Sequence, residues 1–270
     1  LVRVCQYKAH RGEIMESASF CVAITGASSG IGRELALHFA KEATLLHIAG
    51  RNTTQLEQTQ KDIQAINPNA QVRLHSFDVS DEVSSKQWCE AIFATRLDVL
   101  IMNAGIAMGE KENIQRHFEI CHTNAMGVMY NTFYALEFFN KQEKVDGFKG
   151  HLVFISSIAA LLALPNAPSY SASKQFVKAL AESLSVSQKE VRITTICPGF
   201  IKTPLTDHLH PAIPQMSVKK AGAKIYRAIR KGKKCYAFPC FLAFGARFYN
   251  ILPIWCKRAL VRIFEIMGKL

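Results

Sequence analysis

The sequence predicts an α/β protein: a doubly wound parallel sheet with helices on both faces, three layers in a single domain, then a helical C-terminal extension. Three observations carry this. Short apolar runs alternate with segments of helical period across 20–238. A glycine-rich turn, Thr25-Gly26-Ala27-Ser28-Ser29-Gly30-Ile31-Gly32, links the first apolar run to the first helical segment. No repeat, low-complexity tract or linker interrupts the alternation before residue 202.

In chain order, strands are expected at 20–25, 44–49, 71–77, 97–102, 150–156, 191–197 and 234–238. Helical periodicity falls near 30–41, 53–66, 81–94, 112–140, 168–190 and 217–231. Right-handed crossovers then set the C-terminal strand ends along one edge, where ligands bind. Residues 202–216 hold three prolines with His208 and His210 and read as a loop or lid. The catalytic domain is thus expected over 20–238, with 1–19 an extension and 239–270 a basic, apolar helical tail. Met15 lies just ahead of the first strand, so 1–14 reads as a tag or an over-extended start.

Composition narrows the classes. The 270 residues are 49% hydrophobic and 20% charged, enough for a large buried core. The eight cysteines are scattered without a CxxC pair, which excludes a disulfide scaffold and favours a reducing, cytoplasmic setting. Cys21 and Cys197 sit in apolar runs and read as core. His208 and His210 lack further ligands at suitable spacing, so no metal is expected. Residues 1–19 carry no apolar signal-peptide core. The net charge of +12 is one-sided: 1–201 holds 19 basic and 19 acidic residues, 202–270 holds 14 basic and 2 acidic. An anionic partner for the C-terminal part follows.

The glycine turn has a mechanism. Gly26, Gly30 and Gly32 permit a tight turn and close backbone approach to a pyrophosphate, and the helix behind them offers free N–H groups and a positive dipole end. Placed between a strand and a helix, it marks a Rossmann-like nucleotide site.

The turn is similar to the glycine motif of the short-chain dehydrogenase/reductase family. Other marks appear in family order. Met102-Asn103-Ala104-Gly105 resembles an NNAG motif with its first Asn replaced. Asn124, Ser157, the Tyr170-Ser171-Ala172-Ser173-Lys174 YxxxK motif, Pro198-Gly199, Ile201 and Thr203 follow. The resemblance spans about 20–205. It implies catalysis by Asn124, Ser157, Tyr170 and Lys174. It also implies a cofactor held by Gly26, Ser28, Ser29, Gly30, Ile31, Gly32, Arg51, Asp78, Val79, Asn103, Ala104, Gly105, Tyr170, Lys174, Pro198, Gly199, Ile201 and Thr203.

The residue chemistry agrees. Carbonyl reduction needs a proton donor beside the hydride donor. A phenol near its reference pKa of about 10 is a poor one unless a cation is close. Tyr170 and Lys174, four apart on a helix, share a face, so Lys174 can bias Tyr170. Ser157 lies 13 residues before Tyr170, the family's interval, and is chosen over Ser156 to hold the substrate oxygen. The resemblance makes Asn124 the holder of a relay water between Lys174 and solvent.

The second strand ends Ala49-Gly50-Arg51, with glycine where an NAD-selective site places a carboxylate. A guanidinium pairs with a 2′-phosphate, so NADP(H) is expected ahead of NAD(H). Asp78-Val79 resembles the adenine-contacting pair.

In the tail, Phe241, Phe244, Phe248, Tyr249 and Trp255 interleave with Arg247, Lys257, Arg258 and Arg262. Pro239, Arg247, Asn250 and Pro253 break the run, so a transmembrane span is not expected. Amphipathic helices are expected instead. They would lie peripherally on an anionic membrane, cover a lipid-like substrate, pack on the domain or contact a subunit. Nucleic acid is not an expected partner. The helices at 112–140 and 168–190 resemble the family's dimerising pair, hence a homo-dimer or tetramer. The expected function is hydride transfer between NADP(H) and a small-molecule ketone or secondary alcohol, hydrophobic in character. The alternative is a catalytically silent nucleotide-binding regulator or scaffold.

Overall fold

The computed structural model describes residues 20–109, 113–162, 164, 166–207 and 213–266. The expected extension 1–19, its proposed start at Met15, and the His208–His210 pair lie outside the described residues.

Seven parallel strands form one sheet in the order β3-β2-β1-β4-β5-β6-β9. They are β1 (Cys21–Thr25), β2 (Leu45–Gly50), β3 (Gln71–Ser76), β4 (Val99–Met102), β5 (Gly150–Ile155), β6 (Val191–Pro198) and β9 (Cys235–Phe238). β1, β4 and β5 are buried at every residue, as a sheet covered on both faces requires. Helices α1 (Gly30–Phe39), α2 (Thr53–Ile66) and α7 (Val218–Arg230) flank the sheet with α3 (Glu82–Ile92), α5 (Gly127–Phe139) and α6 (Pro168–Ser187). Two apolar cores result. Leu35, Phe39 and Ile225 sit in one, Trp88, Phe139 and Val177 in the other. Cys21 and Cys197 are buried, as their apolar runs implied.

Three expectations need correction. The strand expected from 97 starts at Val99, because the Gln142 side chain takes both main-chain polar groups of Leu97, at 2.9 and 3.0 Å. The helix expected over 112–140 is broken. α4 (Ile114–Cys121) and α5 are joined by a π turn, His122–Met126. The wide turn turns Asn124 out of the helical row and buries it against Ile106. Apolar periodicity runs through such a turn and does not reveal it. The segment after 200 is also more ordered than a plain loop. β7 (Ile201–Lys202) pairs with β8 (Met216–Ser217), and a three-ten turn, Pro204–Thr206, is closed by Thr206 donating to the Ile201 carbonyl at 2.6 Å. The tail forms α8 (Cys240–Ile251) and α9 (Ile254–Ile266).

Two buried imidazoles shape the acid response. His151 Nε2 lies 2.8 Å from Thr194 Oγ1, whose own proton goes to the Lys233 carbonyl at 2.7 Å. Nε2 therefore carries the ring proton. Desolvation, helped by Arg192 and Arg230, lowers the His151 pKa to about 3. Desolvation also lowers His47 to about 4, with His75 and Arg73 adding to it. A folded pKa below the unfolded value means the unfolded chain binds more protons. Stability is therefore full above pH about 6.5 and falls as pH drops toward 3. His151→Gln keeps the donor and removes the titration. Urea unfolding from pH 7 to 4.5 should show its pH slope reduced by up to about 1.4 kcal/mol per pH unit relative to the parent. An unchanged slope refutes this account.

Candidate active site

The sheet order reverses between β1 and β4, and the C-terminal strand ends open there into a cleft of about 410 Å³. All the residues expected at the site line this cleft except Gly32 and Asn124, which support it from behind.

One wall is the glycine turn. Gly26 and Gly30 have φ of +68° and +54°, values that disfavour a side chain. A Cβ on Gly32 would stand 2.2 Å from the Gly26 carbonyl oxygen, so only glycine lets α1 start this close to the turn. The N-cap Ser29 makes no side-chain cap bond, which leaves the first N–H groups of α1 to a ligand. Ser28, Ser29 and Ile31 stand on the same rim.

The opposite wall is Asn103-Ala104-Gly105. Asn103 Nδ2 donates to the carbonyls of Thr25 and Gly26 at 3.0 and 3.1 Å. Thr25 Oγ1 in turn accepts from Asn103 N and Ala104 N at 3.0 and 3.1 Å. The two loops are laced together by these four bonds.

At one end of the cleft Arg51 Nη1 meets Asp78 Oδ2 at 3.4 Å, an exposed pair beside Val79. Two Ser80 hydrogen bonds and the Arg51 charge hold the Asp78 carboxyl below its ordinary range against the opposing pull of desolvation. At the other end stand Ser157, Tyr170 and Lys174, faced by Pro198, Gly199, Ile201 and Thr203.

Ser157 accepts from Ala159 N at 3.1 Å and keeps its own proton. It hydrogen-bonds the Tyr170 phenol and holds its pKa down, while desolvation pushes it up more strongly. Ser156 instead gives its proton to the Lys174 carbonyl at 2.8 Å. Lys174 is buried, donates to the Ile155 carbonyl at 3.1 Å and lies 5.8 Å from the Tyr170 ring centre. Desolvation lowers its pKa to about 8. Burial thus outweighs every other influence on Tyr170 in the protein alone, and the net shift is upward.

Asn124 uses its amide fully. Its Oδ1 accepts from Ile106 N at 2.8 Å, and its Nδ2 donates to Ile106 O at 2.9 Å and Ser173 Oγ at 3.1 Å. It pins the loop in which Gly105 sits. A Cβ on Gly105 would stand 3.1 Å from Asn124 Oδ1 and 3.4 Å from Lys174 Nζ.

Sequence reasoning missed Ile106, Arg116 and Thr206 on the cleft wall, and Ser173 and Thr25 behind it. Thr25 and Ser173 stood inside the quoted motifs. Arg116, which donates to the Ala107 carbonyl at 2.8 Å, had no sequence signal.

Glycine turn, free helix N-terminus and open cleft together fit a dinucleotide, with Gly26–Gly32 for the pyrophosphate and Lys174 buried at the far end, on the side of a ribose.

Comparison with known proteins agrees with this geometry. A family profile described as short chain dehydrogenase matches residues 21–213. An uncharacterized oxidoreductase of Myxococcus xanthus is 32% identical over 238 residues, covering 85% of this chain and 91% of that protein. The 11-beta-hydroxysteroid dehydrogenase A of Arachis hypogaea is 28% identical over 275 residues, covering 91% of this chain and 74% of that one. The crystal structure of levodione reductase superposes with a TM-score of 0.72 at 22% identity, covering 81% of this chain and 95% of that one, a likeness of fold. The chain belongs to the short-chain dehydrogenase family of oxidoreductases.

Proposed function

We propose that the protein is an NADP(H)-dependent carbonyl reductase, reversible as an alcohol dehydrogenase, acting on an apolar ketone or secondary alcohol. The observation that carries this is the meeting of Ser157, Tyr170 and Lys174 at the end of a cleft whose other wall is a glycine turn on a helix N-terminus. The nicotinamide, when bound, supplies or takes the hydride.

The chain's own groups do the rest. Ser157, whose oxygen accepts from Ala159 N, turns its proton from the Tyr170 phenol to the substrate oxygen and holds it beside Tyr170. Tyr170, raised by desolvation, is protonated at neutral pH and gives its proton to that oxygen as charge develops there. Lys174 offers two N–H protons beyond the one given to Ile155, one toward the phenolate and one toward a ribose hydroxyl. Asn124 positions Gly105–Ile106, and a water held at its π turn relays protons between Lys174 and solvent.

The apolar substrate class is supported by Ile106, Pro204 and Leu205 on the cleft wall. NADP(H) preference is supported by Arg51 beside the cleft and Gly50 in place of a carboxylate. We place peripheral membrane contact in the tail, and a homodimer contact at α5–α6, where Phe133 remains half exposed.

Tyr170→Phe should cut turnover by about 10²–10⁴-fold with NADPH affinity changed less than about threefold. Steady-state rates and fluorescence titration check this, and a rate untouched by the change removes Tyr170 from the chemistry.

Arg51→Ala should weaken NADPH binding by about 10–100-fold, the worth of one charge-assisted bond, and leave NADH within about threefold. Equal weakening of both would reject the phosphate assignment, and binding of neither by the parent would reject the oxidoreductase reading.

The raised Tyr170 pKa also sets a direction. Alcohol oxidation needs the phenolate and should climb with pH through the alkaline range, while carbonyl reduction stays level across neutrality. Initial rates in both directions from pH 6 to pH 10, about a pH unit apart, test it. Oxidation that is flat with pH would contradict it.

A further inference from the structure

The oxidoreductase chemistry does not use the outer surface of the tail, and the side chains there specify the membrane contact placed in it. α8 has two faces of opposite character. Inward, the small side chains Ala243 and Ala246 are buried against Ile158 and Leu161. Asn250 Nδ2 donates to the Leu161 carbonyl at 2.6 Å. The start of α8 closes on the Pro198–Gly199 turn: a Cβ on Gly199 would lie 3.0 Å from Pro239 Cδ and 3.4 Å from Leu242 Cδ1. The helix therefore backs two segments that border the cleft.

Outward, Phe241, Phe244, Phe248 and Ile251 recur at helical spacing, and each is more than half exposed. At the start of α9, Ile254 and Trp255 are 64% and 69% exposed. Single exposed apolar residues need no explanation, but four large ones on one helix face, with two more just beyond it, mark a contact surface. Its rim is basic. Arg247, Arg258 and Arg262 are exposed, and no acidic residue occurs between Asp207 and Glu265. A second copy of the same surface would bring like charges together. An anionic bilayer matches both the apolar row and the basic rim. Helices of 12 and 13 residues reach about 18–20 Å, short of the ~30 Å hydrocarbon core, so they can lie in the interface but not cross it. Among the described residues no helix is long and apolar enough to span a membrane.

We propose that α8 and the first turn of α9 dock on an anionic lipid bilayer through Phe241, Phe244, Phe248, Ile251, Ile254 and Trp255. The docked cleft then takes an apolar carbonyl compound dissolved in that bilayer. The docking rests on the surface alone. The choice of substrate rests on the carbonyl-reductase reading above.

The test uses the full chain and a triple variant, Phe241→Ser, Phe244→Ser and Phe248→Ser. These side chains lie on the face away from Ala243 and Ala246, and unchanged thermal unfolding shows that the variant folds. Sedimentation is measured with vesicles of phosphatidylcholine alone and of phosphatidylcholine with phosphatidylserine. The parent should sediment with the mixed vesicles and the variant should lose at least about tenfold in affinity. Arg258→Glu with Arg262→Glu should abolish the preference for phosphatidylserine. In a second arm, a long-chain ketone is supplied in mixed vesicles and a short, water-soluble ketone in buffer. The variant should lose at least about tenfold in kcat/KM on the first and keep its rate on the second.

A parent that ignores vesicles, or a variant that binds them equally well, overturns the docking. So does a parent dimer that the Ser substitutions convert to monomer without any vesicle binding. Long-chain turnover indifferent to vesicles overturns the delivery. Absence of turnover on every ketone overturns the reductase reading and the delivery with it, while sedimentation still decides the docking.

Discussion

The lacing of Thr25 to Asn103 is the constraint on which the site depends. β1 and β4 lie side by side where the strand order reverses, and their following loops leave in different directions. Two neighbouring parallel strands would otherwise end in unpaired main-chain groups at the floor of a cleft, a costly place for them. Thr25 Oγ1 takes the N–H groups of Asn103 and Ala104, and the Asn103 amide takes the carbonyls of Thr25 and Gly26. The side chains thus extend the sheet's hydrogen bonding beyond its last ladder pair. They fix the glycine turn against the next loop, and so fix the spacing of the two cleft walls.

Against that rigid frame, Lys174 is kept in a state that does not favour stability. It is nearly buried, its described hydrogen bond is to the single carbonyl of Ile155, and burial lowers its pKa to about 8. A folded protein satisfies its buried donors unless something else is to satisfy them. Gly105 keeps the approach to this ammonium open, and Asn124 keeps Gly105 in place. The π turn that carries Asn124 is the local cost of that arrangement, since it interrupts a helix which the apolar periodicity would have continued.

Much of this was legible in the sequence, and the reasons are physical. β1, β4 and β5 are buried on both faces, so their apolar runs are continuous and their positions differ from expectation by at most two residues. The glycine turn and the Tyr170–Lys174 pair are local patterns: three close glycines and one helical turn. What stayed hidden depends on contacts far apart in the chain. The interval to Tyr170 selected Ser157, but not the bond that occupies Ser156, whose acceptor is a Lys174 carbonyl 18 residues away. Arg116 enters the cleft only because α4 folds back across Ala107. The π turn has no local marker, and the upward shift of the Tyr170 pKa reflects desolvation that spacing along a helix does not encode.

The tail follows from the same logic of packing. An isolated helix of 12 residues is marginal in water, so α8 must be held by what it touches. Its inner row is Ala243 and Ala246, small enough to bring its backbone close to the three-ten turn, and Asn250 ties the far end to Leu161. A helix meant only to cover the domain would bury its large side chains and expose its small ones. α8 does the reverse, burying alanines and exposing Phe241, Phe244 and Phe248. Tight inner packing makes the helix a rigid backing for segments that border the cleft, and the bulky outer row leaves apolar surface to be covered from outside. The charge agrees with this division, since the balance over 1–201 is neutral and the whole excess of +12 lies beyond it. The aromatic row and the face that backs the cleft are thus opposite sides of one short helix, so whatever covers the row stands one helix diameter, about 10 Å, from the segments that border the cleft.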